Sequence, residues 1–393
     1  MGATPQTLVV DVAICGGGVA GLWLLGRLRQ AGYHAVLLER DRLGAGQTRY
    51  AQGIIHGGTK YALTGKLTGS SEAIVEMPAR WRACLEGNGE LDLRGVRLMS
   101  DHQFMWSTTR LSSRLAGFFA SKLMRSRTQA LEGDARPELF RSPQFKGQVY
   151  RLDEPVLDTA SLVEALATPH RDVIFQADGL VLDPAHPTRV ELAGGRVLEA
   201  QRLVLCAGSG NEALLQQLGR TEPQMQRRPL QMVMLRGKAL PAGVYAHCLG
   251  ANALPRITIT SHLDEEGKTV WYIGGQPAEQ GVGRSRQAQI VAAREELVGL
   301  FPWIDFSACE WGTLNIDRAE PKMPDGSRPA DVFVDERAGV ITAWPTKLAL
   351  APRLADEVTR LLSGVRPNGS AAVAEWPHPQ IALLPWQEEE MWH

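Results

Sequence analysis

Apolar, mostly β-branched residues run almost unbroken from Val9 to Cys15, the pattern of a strand buried on both faces. From about Val19 to Ala31 the apolar spacing turns helical, and Gly32 is placed to end that helix. A second buried run, His34 to Leu38, ends in Glu39, and a third, Leu203 to Cys206, ends in Ala207-Gly208. Farther on, RITITSH (Arg256 to His262) and TVWYIGG (Thr269 to Gly275) read as strands. Arg284 to Phe301 reads as a helix with Ile290, Leu297 and Leu300 among its apolar positions. Pro352 suits the first turn of a last helix, in which Leu354, Val358 and Leu361 recur. Between Thr108 and Ala130, Leu111, Leu115, Phe119 and Leu123 form an i, i+4 row beside Arg110, Arg114, Lys122, Arg125 and Arg127, with no acid. That stretch has two readings: a helix packed on its own lobe with a solvated basic face, or a weak peripheral contact with an anionic membrane.

Composition bounds this picture. At 393 residues the chain exceeds one ordinary core, so two lobes are expected. Forty-two basic residues stand against forty-three acidic ones, which argues against nucleic acid as a main partner. The five cysteines are widely spaced with no CxxC pair, so neither a disulfide framework nor a metal site is expected, and a reducing cytoplasm fits. The N-terminus lacks a charged n-region, and no apolar run has the length of a membrane span. The expectation is a soluble cytoplasmic protein.

The chemistry begins where the first strand ends. Gly16-Gly17-Gly18-Val19-Ala20-Gly21 has G-x-G-x-x-G spacing between a strand and a helix. Gly16 suits the tight turn, Gly18 lets a pyrophosphate reach the backbone, and Gly21 lets helix and strand pack closely. The N–H groups of Val19 and Ala20 open a helix whose positive end favours phosphate. Glu39, with Arg40 beside it, stands where a carboxylate can hold the adenosine ribose hydroxyls, which makes NADP the least favoured dinucleotide. An NAD enzyme would continue into further βα units. Here a glycine-bearing passage follows instead, RLGAGQTRYAQGIIHGGTKYAL (Arg42 to Leu63), able to lay thin backbone along an extended cofactor.

Within that passage Gly53-Ile54-Ile55-His56-Gly57-Gly58, followed by Lys60-Tyr61, resembles an element of FAD-dependent oxidoreductases of the D-amino-acid oxidase and glycerol-3-phosphate dehydrogenase type. The likeness is to glycerol-3-phosphate and 2-hydroxyglutarate dehydrogenases in particular. Val156 to Ala167, Arg202 to Asn211, Arg227 to Gly237 and Asn315 to Gly326 resemble later segments of the family, so the resemblance runs from about Val9 to Val365. It implies that Gly53 to His56 run beside the isoalloxazine ring, with Gln47 and Thr48 near the pyrophosphate. It also implies that Ala207-Gly208 and Thr346-Lys347-Leu348 close on the cofactor. One departure is plain: Trp344-Pro345 stands where relatives carry glycines before the last helix.

The fold implied is α/β, a discontinuous Rossmann-like FAD-binding lobe (7–90, 150–228 and 312–366) with an inserted α+β substrate lobe (91–149 and 229–311) containing an antiparallel sheet. The tail, 367–393, would be an irregular strap or a mobile end. His56 has three readings: a base or substrate contact, a structural residue, or the point of covalent flavin attachment. Lys60 and Tyr61 would touch substrate, and Arg318 with Lys347 would hold an anionic group, the alternative being solvated surface charge. The resemblance implies an FAD-dependent oxidase or dehydrogenase. It would take hydride from a carbon bearing a hydroxyl or amine in a small anionic substrate: a 2-hydroxy acid, a glycerol-3-phosphate-like compound or an amino acid. Electrons would pass on to oxygen, a quinone or an electron carrier. The rival readings are a pyridine-nucleotide dehydrogenase and a non-catalytic FAD-binding electron-transfer subunit. A flavin hydroxylase is disfavoured, since no late Gly-Asp element is found.

Overall fold

The computed structural model describes residues 6–58, 69–108, 128–249, 255–367 and 375–392. Two eight-stranded sheets organise them. The first is centred on β1 (Gln6–Cys15), which pairs in parallel with Arg196–Leu205 on one side and with β2 (Ala35–Glu39) on the other. Val340–Trp344 and Ile174–Gln176 extend this parallel core, and Phe333–Arg337 closes one edge in antiparallel pairing. Helix α1 (Val19–Gln30) follows β1 and is buried along nearly its whole length. Its Trp23 meets Trp81 with ring centroids 4.6 Å apart. Parallel strands must be joined by crossovers, so both faces of such a sheet are covered and the strands are apolar throughout. That is why Val12 to Cys15, buried on both faces, is apolar without alternation, while Val9 nearer the start of the strand is exposed.

The second sheet runs in the order Glu310–Pro321, Met225–Gly237, Thr269–Gly274, Ile257–Leu263, Tyr245–Cys248, Gln103–Ser107, Gln148–Leu152, Thr128–Leu131. It is antiparallel except where Tyr245–Cys248 pairs in parallel with Gln103–Ser107. The strand Glu310–Pro321 pairs along its length with Met225–Gly237, and so belongs to this sheet. The alternation in ITITSHL sorts its two faces. Ile257 and Ile259, with Phe104, Trp106, Val233, Ala246, Trp271 and Ile273, point to the face covered by helix Arg286–Leu300. Thr258, Thr260 and His262 point the other way, toward the first lobe, in register with His247 and Tyr245 on the neighbouring strand. That second face is apolar where Met232, Met234, Tyr272 and Leu314 meet Trp386 and Trp392 of the C-terminal segment, and polar elsewhere.

Residues 375–392 cross the molecule as a strap, resolving the two readings of the tail for its described part. The N–H of Leu43 donates to Gln380 O and the N–H of Ala382 donates to Leu43 O. Farther along, Arg49 forms a paired ion contact with Glu388 at 2.7 and 2.8 Å. The basic stretch 109–127 and the pair Lys60-Tyr61 lie outside the described residues; Thr128–Leu131, at the end of the former, is a strand. Among the described residues no helix is long and apolar enough to cross a membrane, no His/Cys/Asp/Glu cluster could hold a metal, and the five cysteines are buried and free.

Candidate active site

The loops at the carboxyl ends of β1, β2 and Arg196–Leu205 meet in one place. A Cβ on Gly16 would stand 2.6 Å from Cys206 O, and one on Gly21 only 2.0 Å from Gly16 O, so the wall there is bare backbone of necessity. The N–H of Gly17 donates to Glu39 Oε2 at 2.6 Å, and the N–H of Asp41 to Glu39 Oε1 at 2.8 Å. Gly18, extended at φ −78° and ψ 178°, caps α1 without a side chain. Thr48 takes over that duty from the following loop, its Oγ1 accepting the Val19 N–H at 3.1 Å. A helix N-terminus ringed by glycines, a hydroxyl and a strand-end carboxylate fits the pyrophosphate and ribose of an adenine dinucleotide.

On the far side, Ala207-Gly208 is held from behind. Asn211 Oδ1 accepts the Ala207 N–H at 2.8 Å, and the Asn211 amide donates to Ala343 O at 3.2 Å. The fully buried Trp344 donates its indole N–H to Gly208 O at 3.0 Å. The tryptophan where the resemblance led glycine to be expected thus ties its own loop to the Ala207-Gly208 turn. A turn of glycine-like conformation lies two residues on, at Thr346, whose φ is 61° and whose hydroxyl donates to Asp331 O at 3.1 Å. Leu348 then opens the short 3-10 turn leading into the helix Ala351–Leu361. Gln47 reaches across, its amide 3.5 Å from Ala319 O, and so bridges the loop to the second sheet. Arg40 is exposed, with its carbonyl accepting from Gln176 at 2.6 Å.

The segment Gly53 to Gly58 runs between the lobes. Gly53 has φ 72°, and a Cβ there would lie 2.0 Å from Leu157 O. Ile54 bridges to Val156, and the N–H of Ile55 donates to Pro155 O at 2.9 Å. His56 follows, partly exposed. Its Nδ1 lies 3.3 Å from Glu154 Oε2 and 3.4 Å from the Gln103 amide nitrogen. Glu154 is buried. Desolvation alone would raise its pKa, but His56, the Gly57 N–H at 2.8 Å and the Gln103 amide hold the carboxyl below its usual range. The ring of His247 lies 5.2 Å from that of His56, and its Nδ1 is 2.7 Å from Thr258 Oγ1.

Arg318, on the strand Glu310–Pro321, stands directly across from Arg228. Like charges in opposite register need counter-charge. The buried Glu320 supplies part of it, 3.6 Å from Arg228 and 3.8 Å from Arg328. Among the described residues Arg318 itself reaches Arg228 O at 3.4 Å and Glu279 at 3.5 Å. Burial, then the nearby Arg328, pulls its pKa down. Lys347 turns elsewhere, its ammonium 2.9 Å from Ala330 O, so the two cations expected to act together make their hydrogen bonds to different partners.

The glycine motif, Glu39, Thr48 and Ala207-Gly208 thus converge on one cradle, and Gly53 to His56 form a strip that pairs with the segment Pro155–Leu157. Gln103, Glu154, His247, Arg228 and Arg328 were not singled out from sequence. For His247 a signal existed, the alternation of Tyr245 and His247 opposite Thr258 and Thr260. Glu154, in a turn between two short strands, carried none.

A family model described as "FAD dependent oxidoreductase" (DAO) matches residues 11–367. The chain is 50% identical over 390 residues to the "Probable FAD-dependent oxidoreductase PA4991" of Pseudomonas aeruginosa, covering 98% of this chain and 99% of the relative. The crystal structure of that protein superposes with a TM-score of 0.86, at 45% identity and with 98% and 99% of the two chains covered. Glycine oxidase from Geobacillus kaustophilus shares the fold, with a TM-score of 0.64 at 16% identity over 93% of this chain and all of the other (100%). So does an L-amino acid deaminase from Proteus vulgaris, at 0.65 and 17% over 93% and 92%.

Proposed function

The chain belongs to the DAO family of FAD-dependent oxidoreductases, and from that premise we propose that it oxidises a small carboxylate- or phosphate-bearing substrate at a carbon carrying a hydroxyl or amine. Membership sets aside the pyridine-nucleotide and non-catalytic readings. When bound, FAD supplies the hydride acceptor. Gly16, Gly18, Gly21, Glu39 and Thr48 would hold its adenine-dinucleotide portion, and Gly53 to Ile55, Ala207-Gly208 and Thr346 to Leu348 the flavin end.

The chain's own residues bind and orient the substrate. The observation that carries the anionic assignment is the arginine group at Arg318. Among the described residues, three guanidiniums (Arg228, Arg318 and Arg328) face two carboxylates there (Glu279 and Glu320). One guanidinium is thus left in excess, Arg318 is partly desolvated with only long hydrogen bonds of 3.4 and 3.5 Å, and a substrate carboxylate or phosphate would complete the group. His56 would accept the proton of the substrate hydroxyl or ammonium as the C–H bond is broken. Two fold neighbours are named for amine chemistry, glycine oxidase and L-amino acid deaminase. At this identity they share only the fold, so hydroxy acids stay in the reading.

The test is anaerobic bleaching of the bound flavin by a panel of hydroxy acids, amino acids and glycerol 3-phosphate, compared with neutral analogues. Arg318→Ala is expected to raise KM for the anionic substrate about tenfold to a hundredfold while changing that for its neutral analogue little. Equal effects on both would refute the anion role.

A further inference from the structure

Glu154 is a buried acid whose two oxygens reach the His56 segment and Gln103. It sits in the turn that joins Gln148–Leu152 to Val156–Leu157, with its N–H donating to Leu152 O. From there its two oxygens divide their work. Oε1 accepts the Gly57 N–H at 2.8 Å. Oε2 faces both the Gln103 amide and His56 Nδ1. Gly57 makes this approach possible, since a Cβ there would lie 3.3 Å from Oε1 and 2.9 Å from the Pro78 ring. Gln103 comes from the second sheet and Glu154 from the connection between lobes, so the pair also fixes where His56 sits between them. The other described titratable group facing His56 is His247.

A neutral imidazole carries one ring proton, and the partner of one nitrogen decides which nitrogen carries it. An ionised carboxylate can only accept, so at the 3.3 Å contact His56 presents Nδ1–H to Oε2, a charge-assisted bond that outweighs the longer neutral contact of the Gln103 amide nitrogen at 3.4 Å. Nε2, on the opposite side of the ring, is then the bare nitrogen. A carboxylate behind an imidazole also stabilises the imidazolium that forms when the outer nitrogen takes up a proton. We propose that Glu154 is a positioning residue that holds neutral His56 as its Nδ1–H tautomer and leaves Nε2 as the proton acceptor of the oxidation. The inference rests on the reading of His56 as the base.

The experiment is ¹⁵N NMR of histidine-labelled, FAD-loaded protein, with the His56 signals identified by their loss in His56→Gln, beside stopped-flow flavin reduction. In the wild type, neutral His56 is expected protonated at Nδ1. In Glu154→Gln the Gly57 N–H keeps the amide oxygen and Gln103 turns its own oxygen, unpartnered among the described residues, inward to accept, so the new amide NH₂ faces His56 and donates to Nδ1. The proton then moves to Nε2, and flavin reduction falls about 100-fold or more. A merely structural role would not move the tautomer. Finding Nε2–H in the wild type, or an unmoved tautomer in flavin-loaded Glu154→Gln, overturns the proposal. The wild-type spectrum alone decides the matter should the variant fail to take up flavin. A tautomer that moves while His56→Gln reduces flavin at the wild-type rate upholds the pairing and refutes His56 as the base, so the two readings fail separately.

Discussion

His262 shows how much one side chain's surroundings decide. It sits on the polar side of ITITSHL, yet it is buried, stacked on Trp386 at 3.8 Å with Nε2 3.1 Å from Thr260 Oγ1. Burial, followed by the positive charge of Arg97, pushes its pKa down to about 3 from an ordinary 6.5. A histidine depressed in the fold binds fewer protons than in the unfolded chain, so its contribution to stability is present above 6.5 and lost as pH falls toward 3. At pH 5 the loss is about 2 kcal/mol. His262→Phe keeps the stack and removes the titration. Thermal unfolding at pH 7 and pH 5 is therefore expected to show a smaller acid-induced drop in the variant, and an equal drop in both proteins would count against this account. His56, by contrast, is half open, and its own contacts lead to Glu154 and Gln103.

Among the elements, α1 depends most on something distant. Its own N-cap is a glycine, and the hydroxyl that satisfies Val19 comes from Thr48 in the loop that follows β2. Cap, loop and cradle are one construction, so the loop's order and the helix's start are coupled. Thr48→Val is expected to cost about 1 kcal/mol and to weaken FAD retention, whereas Thr48→Ser preserves both. Denaturant unfolding and flavin release on dilution measure the two effects, and a valine variant matching wild type in each would disprove the coupling. The strand ITITSHL teaches a related lesson. Its alternation announced two faces but not which one was covered by a helix and which looked across at His56. Both faces are buried, so only the packing of Arg286–Leu300 on the isoleucine side distinguishes them.

At the scale of the molecule, the strap 375–392 ties the lobes together. Trp376 packs on Phe175 of the first sheet, Trp386 on His262 and Tyr272 of the second, and Trp392 bridges to Gly312 under the guanidinium of Arg236. Each buried indole contributes about 3 kcal/mol, and Arg49–Glu388 fastens the strap to the loop that follows β2. A chain ending at Pro367 is expected to melt roughly 10 °C or more lower and to lose FAD on gel filtration. Melting and flavin content equal to the full chain's would show the strap to be passive. The sequence by itself determined the dinucleotide cradle, because strand, glycine turn, helix and terminal acid are neighbours along the chain and local sterics dictate each. It also carried the glycine-bearing strip around His56 and the helical and strand periods. What only the tertiary structure decided is which distant side chains meet: Glu154 and Gln103 beside His56, Arg228 and Arg328 around Arg318, and the Trp344 indole on Gly208 O. Those contacts join residues far apart in sequence, and their partners are chosen by which faces of two sheets are pressed together, information no local pattern of polar and apolar residues contains.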